Sequence, residues 1–477
     1  MTWDAPVERR RRTRRRALVA SVILTIAWGT FAFGGVYRWA YAPLLVACPA
    51  IGLACLLPRR HGLPRATGRL ALWLACLAAG VLLQLLPLPA GVLARVSPAT
   101  DAFLKSYYLS YAVPAAASET AAQAWHPLSL APASTWLALA FLCALGLLLV
   151  GLMRSLGPPH ARAIVGGLIV LGVLVAVIGI AQKAMLGDDF RVRIYGFWQP
   201  LYRNSPFGPF ANRNHFGGWM LMVLPLALGS FASALHHALG TIGAGWRNKV
   251  LWLGSERAGK AVMLAFACVV MAVAMVYAAS RSGLACALFA VGAVAWLAVR
   301  ARMARTARLV VGGAFTLLVA SALVWAGSDV ILHRFTLVPA EIGDRLGAWR
   351  DALHVIHDFP LAGIGLNAYG TASIQYQTVE SAWQYTTAHN DYLQLAAEGG
   401  FLLGVPAALA IVALVRLMRR RWRQGDDDPT ASWLRAGAFV SLATIALQSL
   451  VDFSLQIPAN AVLFVVVAAI AVHRPLR

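Results

Sequence analysis

The sequence predicts an all-α, polytopic membrane protein, and three observations lead there. Of the 477 residues, 60% are hydrophobic and only 13% are charged, with a mean hydropathy of +0.68. No single soluble core absorbs that much apolar surface. Runs of about 20 apolar residues, the length that crosses the hydrocarbon core, recur along the whole chain. The basic residues fall between these runs, and the net charge is +22.

In chain order the spans lie at residues 17–36, 41–57, 70–88, 134–153, 163–182, 211–232, 261–279, 283–299, 309–326, 391–415, 432–450 and 455–472, about twelve in all. Each is expected to be a helix, because lipid offers backbone amides no partner. If the basic "RRRRTRRR" of Arg9 to Arg16 stays in the cytoplasm, the loops "PRRHGLPRATGR", "RSLGPPHAR", "RARMARTAR" and "RRRWRQGDDD" fall on that side too. Most of the 41 Lys and Arg go with them, which is the positive-inside bias. An even number of spans then puts both termini in the cytoplasm.

A basic stretch before an apolar one has the outline of a signal peptide. No small-residue cleavage pattern follows, and the apolar run is long, so it reads as a first anchor. The placement of charge in short loops argues for topology and against nucleic acid as a partner, although the N-terminal block can also contact anionic membrane lipids. The six cysteines all lie within apolar spans, with neither a disulfide nor a zinc spacing, and read as packing residues.

Three segments are too long and polar for tight turns, at residues 89–133, 183–210 and 327–390, and on this topology all are extracytoplasmic. The third contains "EIGDRLGAWRDALHVIHDF", whose helical spacing sets Leu346, Trp349, Leu353 and Ile356 on one side. This predicts a helix lying across the membrane surface. With no internal repeat, residues 1–477 are expected to form a single membrane domain with an external cap.

Function is expected outside, because the cytoplasmic loops hold arginines and little else. Arg191 and Arg213 belong to a stretch rich in Arg, Asn, Gly and aromatics. That stretch is either an aromatic belt with interfacial arginines or a surface for an anionic headgroup and sugar. Arg213, flanked by Asn212 and Asn214 where a span begins, either snorkels or points inward to an anion. Arg281 sits in "SRSG", the whole turn between two apolar spans, where a charge is costly and usually faces a cavity or partner; guanidinium is the preferred fork for phosphate oxygens. Arg345 and Arg350 lie about 140° apart around their helix, so one at most faces a given site. Asp344 and Asp351 can pair with them as on a solvated helix.

"TTAHNDYLQLAAEGG" places His389 at the mouth of a span. Neutral imidazole can take a proton from a hydroxyl, and nearby arginines would lower its pKa. Asn390, Asp391 and Glu398 are supporting residues: Glu398 lies half a turn away from His389, and Asp391 is suited to a helix N-terminus. Nothing suggests a metal site or another cofactor, since no H-E-x-x-H and no acidic cluster falls outside the membrane.

These segments resemble the O-antigen ligase family, which also contains O-antigen polymerases and protein O-oligosaccharyltransferases. "SRSG", "DRLGAWRDALHVIHDFPLAGIGLNAYG" and "HNDYLQLAAEGG" carry the resemblance over residues 261–401, and "PFANRNHFGGWM" extends it upstream. The resemblance implies a bacterial inner-membrane glycosyltransferase of the GT-C type, metal-independent and inverting, with its active site on the periplasmic side. Its donor would be an undecaprenyl-pyrophosphate-linked glycan, and in the ligase branch its acceptor the lipid A core. The family's histidine falls on His389 and its two arginine positions on Arg281 and Arg345, with Arg213 matching less securely. The motifs hardly separate ligase from polymerase or protein glycosylase. A lipid-linked glycan transporter is more remote, because transporters place ionisable groups or broken helices at mid-membrane.

Overall fold

A computed structural model describes residues 5–57, 65–112, 125–186, 193–200, 205–239, 247, 254–300, 313, 316, 338–378, 384–424 and 428–473. The chain is an all-α multi-pass membrane protein. In order its helices are α1 (Ala5–Phe31), α2 (Arg38–Leu56), α3 (Arg65–Gln84), α4 (Ala90–Val96), α5 (Pro98–Tyr107), α6 (Leu109–Ala112), α7 (Pro132–Ser155) and α8 (Pro158–Leu186). Then follow α9 (Arg213–Leu239), α10 (Glu256–Ala278), α11 (Arg281–Arg300), α12 (Val338–Asp358), α13 (Tyr369–Tyr376), α14 (Asp391–Gln424), α15 (Pro429–Gln448) and α16 (Pro458–Ala471).

Among the described residues nine helices are long and apolar enough to cross a membrane: α2, α3, α7 to α11, α14 and α15. They match nine of the expected spans. The first expected span lies largely within α1, and the last is α16, a shorter helix of 14 residues. The span expected at 309–326 lies outside the described residues apart from Gly313 and Thr316, both helical. Several helices outrun their apolar stretches. Basic arms continue α1 and α14, because Arg, Leu and Met are good helix formers whether or not lipid surrounds them.

The axis of the bundle is α9, whose apolar window is 89% buried. Lipid tails are as apolar as leucine, so helices associate through close packing rather than through the hydrophobic effect. The α9 and α15 backbones accordingly approach at glycines: a Cβ on Gly229 would stand 2.7 Å from the Trp433 carbonyl, and one on Gly437 2.7 Å from that of Pro225. Ser441 adds an interhelical hydrogen bond to the Met222 carbonyl at 2.7 Å, a contribution of about 0.6 kcal/mol in membranes. Cys48, Cys55 and Cys268 pack inside as expected, but Cys143 is exposed on the helix surface.

One end of the bundle carries the arginines. Arg162 pairs with Asp428, and Arg435, 2% exposed, donates to the carbonyls of Arg421 and His473. The other end carries a cap with a core of its own, in which Phe103 and Leu130 meet Ala352, Val355, Phe359, Tyr369 and Ala397. A two-residue ladder, Leu88 with His126 and Pro89 with Trp125, closes the segment holding α4 to α6. On α12 the buried positions are Ala348, Asp351, Ala352 and Val355, whereas Leu346 and Leu353 are exposed. Small residues thus do most of the docking; of the expected apolar face Leu346 and Leu353 point away from the cap, whereas Ile356 packs against its core. Asp351 does not behave as a solvated partner for arginine: its carboxylate accepts from the amide and hydroxyl of Thr378.

The segment 360–368 is stitched to three helices. Gln84 donates to the carbonyls of Ala362 and Glu398 at 2.6 and 2.8 Å and accepts from the Leu366 amide. Thr135 donates to the Leu366 carbonyl at 2.8 Å. Here the expectation of unbroken spans fails. Gly400 interrupts α14 with φ 51 and ψ −151, and the amides of Phe401 and Leu402 donate to Pro360 and Leu361 rather than back along the helix. A Cβ at Gly400 would lie 2.5 Å from the Pro360 carbonyl oxygen, and an L residue strains at this φ. Gly400→Ala should therefore cost on the order of 2 kcal/mol or more. Gly404→Ala, which meets nothing within 4 Å, should be neutral or slightly stabilising; thermal unfolding of the two variants in detergent distinguishes them.

Candidate functional site

His389 occupies a left-handed backbone turn, φ 51, a conformation uncommon outside glycine though histidine is among the residues enriched there. Its neighbours hold it in place. The Ala388 amide donates to Gln394 Oε1 at 3.0 Å. Asn390 caps α14, its Oδ1 accepting from the amides of Tyr392 and Leu393, each at 3.0 Å, while its Nδ2 donates to the Leu450 carbonyl. The Asp391 amide donates to the Ser449 carbonyl. With three neighbours pinned, the imidazole has little freedom to leave this turn.

The ring lies between Tyr385 and Phe453, with centroids at 6.3 and 5.1 Å. On its far side Phe453 meets His215 at 4.9 Å. Nδ1 of His389 is buried with no hydrogen-bond partner among the described residues. Burial, and after it the Arg345 guanidinium, hold the His389 pKa well below the ordinary imidazole value. The group is therefore a neutral imidazole with an unfilled nitrogen.

Arg345 is half-buried and Arg350 exposed, as their angular separation requires. Arg345 also acts on Asp452, which the sequence reading missed. Asp452 is 0% exposed in the turn between α15 and α16. Burial pushes its pKa up to about 6, against the opposing pull of the Phe453 amide, Arg345 and the Asn214 side chain. A lone carboxylate in "VDFSLQ", between two apolar runs, was the available signal. Its turn looked like a simple reversal, and only the fold brings it to Arg345. His215, in the stretch next to Arg213, was missed as well.

Asn214 links the remaining candidates. Its side chain hydrogen-bonds Asp452 and accepts from Ser280 Oγ at 2.9 Å. Ser280 immediately precedes Arg281, the first residue of α11, and Arg213 opens α9. Both arginines are half-buried. Arg281 and Arg213 are thus neighbours of one hydrogen-bonded pair, connected through Asp452 to Arg345 and His389. Arg191 lies outside the described residues.

The supporting residues have structural work. Asp391 accepts from Ser449 Oγ at 2.8 Å and Gln456 Nε2 at 3.0 Å, tying α14 to the turn that carries Asp452, while the capping itself falls to Asn390. The Glu398 carboxylate accepts from the amides of Asn367 and Tyr369, satisfying the open N-terminus of α13. A cavity of about 600 Å³ runs alongside. Its lining includes the polar residues Thr386, Thr387, Asp391, Gln394 and Gln456 and the apolar residues Leu137, Phe141 and Phe453. A neutral base, several guanidiniums and an adjacent cavity of mixed polar and apolar lining can accept a proton, hold an anion and admit an amphipathic molecule.

No curated protein matches the chain. A family model described as O-antigen ligase matches residues 266–406. The match runs from within α10 to just beyond the Gly400 break and contains Arg281, Arg345, His389, Asn390, Asp391 and Glu398; Arg213, His215 and Asp452 lie outside it. Over this segment, which is less than half of the chain, the protein is similar to the O-antigen ligase family.

Proposed function

We propose that the protein transfers a glycan from undecaprenyl pyrophosphate to a hydroxyl of the lipid A core, at the periplasmic face of a bacterial inner membrane. The observation that carries this reading is the buried, unpartnered Nδ1 of His389 beside the Arg345 guanidinium. His389 removes the proton from the acceptor hydroxyl as its oxygen attacks the anomeric carbon. The bond from that carbon to the pyrophosphate oxygen breaks, the configuration inverts, and undecaprenyl pyrophosphate departs with the electron pair. Arg281 and Arg345, with Arg213 beside them, hold the developing negative charge, the task a metal performs elsewhere; Arg191 is a further candidate for the same role. The cap on this reading is periplasmic, and the arginine-rich end with both termini is cytoplasmic. Within the family, polymerase and protein glycosylase activities need the same donor chemistry, so acceptor choice is the deciding measurement.

Purified protein given a lipid-linked glycan should glycosylate lipid A core in preference to a second donor or a pilin-type protein. Transfer should survive EDTA, and a loss restored by Mg²⁺ would overturn the metal-independent mechanism. His389→Ala should lower turnover by about 10²–10⁴-fold while leaving insertion and thermal stability intact. Arg281→Lys should reduce it by about tenfold or more, since a point charge does not reproduce the guanidinium fork.

The pH profile tests the base directly. The active form is neutral imidazole, and its pKa is depressed in the fold, so activity should fall only below the ordinary histidine range. Arg345→Gln removes a positive charge that favours the neutral form, so the acid limb of its residual activity should move to higher pH. An unmoved limb would count against His389 as the titrating group.

A further inference from the structure

At the arginine-rich end, opposite the candidate site, α11, α14 and α15 leave a groove of about 1220 Å³ between them. That exceeds the roughly 300–1,000 Å³ of a usual ligand pocket. Its walls are apolar and aromatic. Trp296 and Trp422 are 55% and 48% exposed, and Trp422 leans on Phe439 with ring centroids 5.4 Å apart. Arg300, Arg419 and Arg423 stand among the lining residues, and none of the described lining residues carries a carboxylate. Arg300 lies over the Trp296 ring at 4.6 Å. Arg416, Arg419, Arg420 and Arg423 also line an adjoining hollow of about 430 Å³; their i, i+3, i+4, i+7 spacing sets them along one face of α14.

Guanidiniums gathered on an open apolar trough match one class of occupant. Tryptophan favours the membrane interface, and basic surfaces between helices on the cytoplasmic side of membrane proteins attract anionic headgroups. A soluble anion would satisfy the arginines and leave the indoles uncovered; a neutral lipid would do the reverse. We propose that this groove binds an anionic phospholipid, its phosphate on Arg300, Arg419 and Arg423 and its acyl chains along Trp296, Trp422 and Phe439. The site is separate from glycan transfer and does not depend on the proposed mechanism.

Native mass spectrometry of the full chain, delipidated in detergent and supplied with phosphatidylglycerol or phosphatidylcholine, tests this. The wild type should retain phosphatidylglycerol about tenfold better, and the Arg419→Gln, Arg423→Gln double variant should lose that preference while keeping its thermal stability. As a second readout, phosphatidylglycerol with brominated acyl chains should quench tryptophan fluorescence in vesicles, and Trp296→Phe, Trp422→Phe should lower the quenched fraction. Equal retention of the two lipids, retention unchanged by the double variant, or a dimer of the delipidated chain that excludes added lipid would each overturn the proposal.

Discussion

The N-terminus of α14 is the junction on which the candidate site depends. A helix beginning at the edge of a bilayer has amides that nothing in the lipid will satisfy, and Asn390 satisfies two of them from the residue next to His389. The same asparagine reaches the Leu450 carbonyl, while Asp391 holds Ser449 and Gln456. One capping arrangement therefore ends the loop, starts the helix, fixes the α15 to α16 turn, and leaves His389 in a left-handed conformation. The strain at that residue persists because its surroundings over-determine it.

The charges around this junction constrain one another. Arg345 acts on both His389 and Asp452, holding the imidazole neutral and opposing the rise that burial imposes on the carboxylate. Asn214 spans from Asp452 to Ser280, so the starts of α9 and α11 are tied to the same set. Buried polar groups are costly unless paired, and here the pairs extend from one helix terminus to the next. That pattern suits chemistry at the rim of a bundle, where loops supply partners that the interior of a bilayer does not.

Much of this was legible in the sequence, and the physical reasons separate what was from what was not. Hydropathy located the nine long apolar helices, because apolar runs at bilayer length admit little else. Spacing on α12 separated Arg345 from Arg350. The apolar pattern of α12 was legible, but not the side by which it docks: Ala348 and Ala352 are buried against the cap, while Leu346 and Leu353 stay exposed. The break at Gly400 was hidden inside a stretch read as one span, since it arises from the Pro360 and Leu361 carbonyls, which are remote in sequence. Asp452 was hidden for the same reason. A residue whose meaning comes from partners tens to hundreds of positions away leaves no local signature.

Why the base should sit here rather than deeper follows from what it becomes. In the proposed reaction His389 starts neutral, which burial favours, and ends as imidazolium, which burial and Arg345 disfavour. Deep in hydrocarbon that change would raise the barrier steeply. At the mouth of α14 the new cation would form as negative charge moves onto the pyrophosphate beside the arginines. Arg345 then ceases to oppose the imidazolium as strongly, because its charge is matched by the departing diphosphate. The arrangement that depresses the histidine pKa at rest thus relaxes as the reaction proceeds, and the interaction is stronger in the transition state than in the ground state, as catalysis requires.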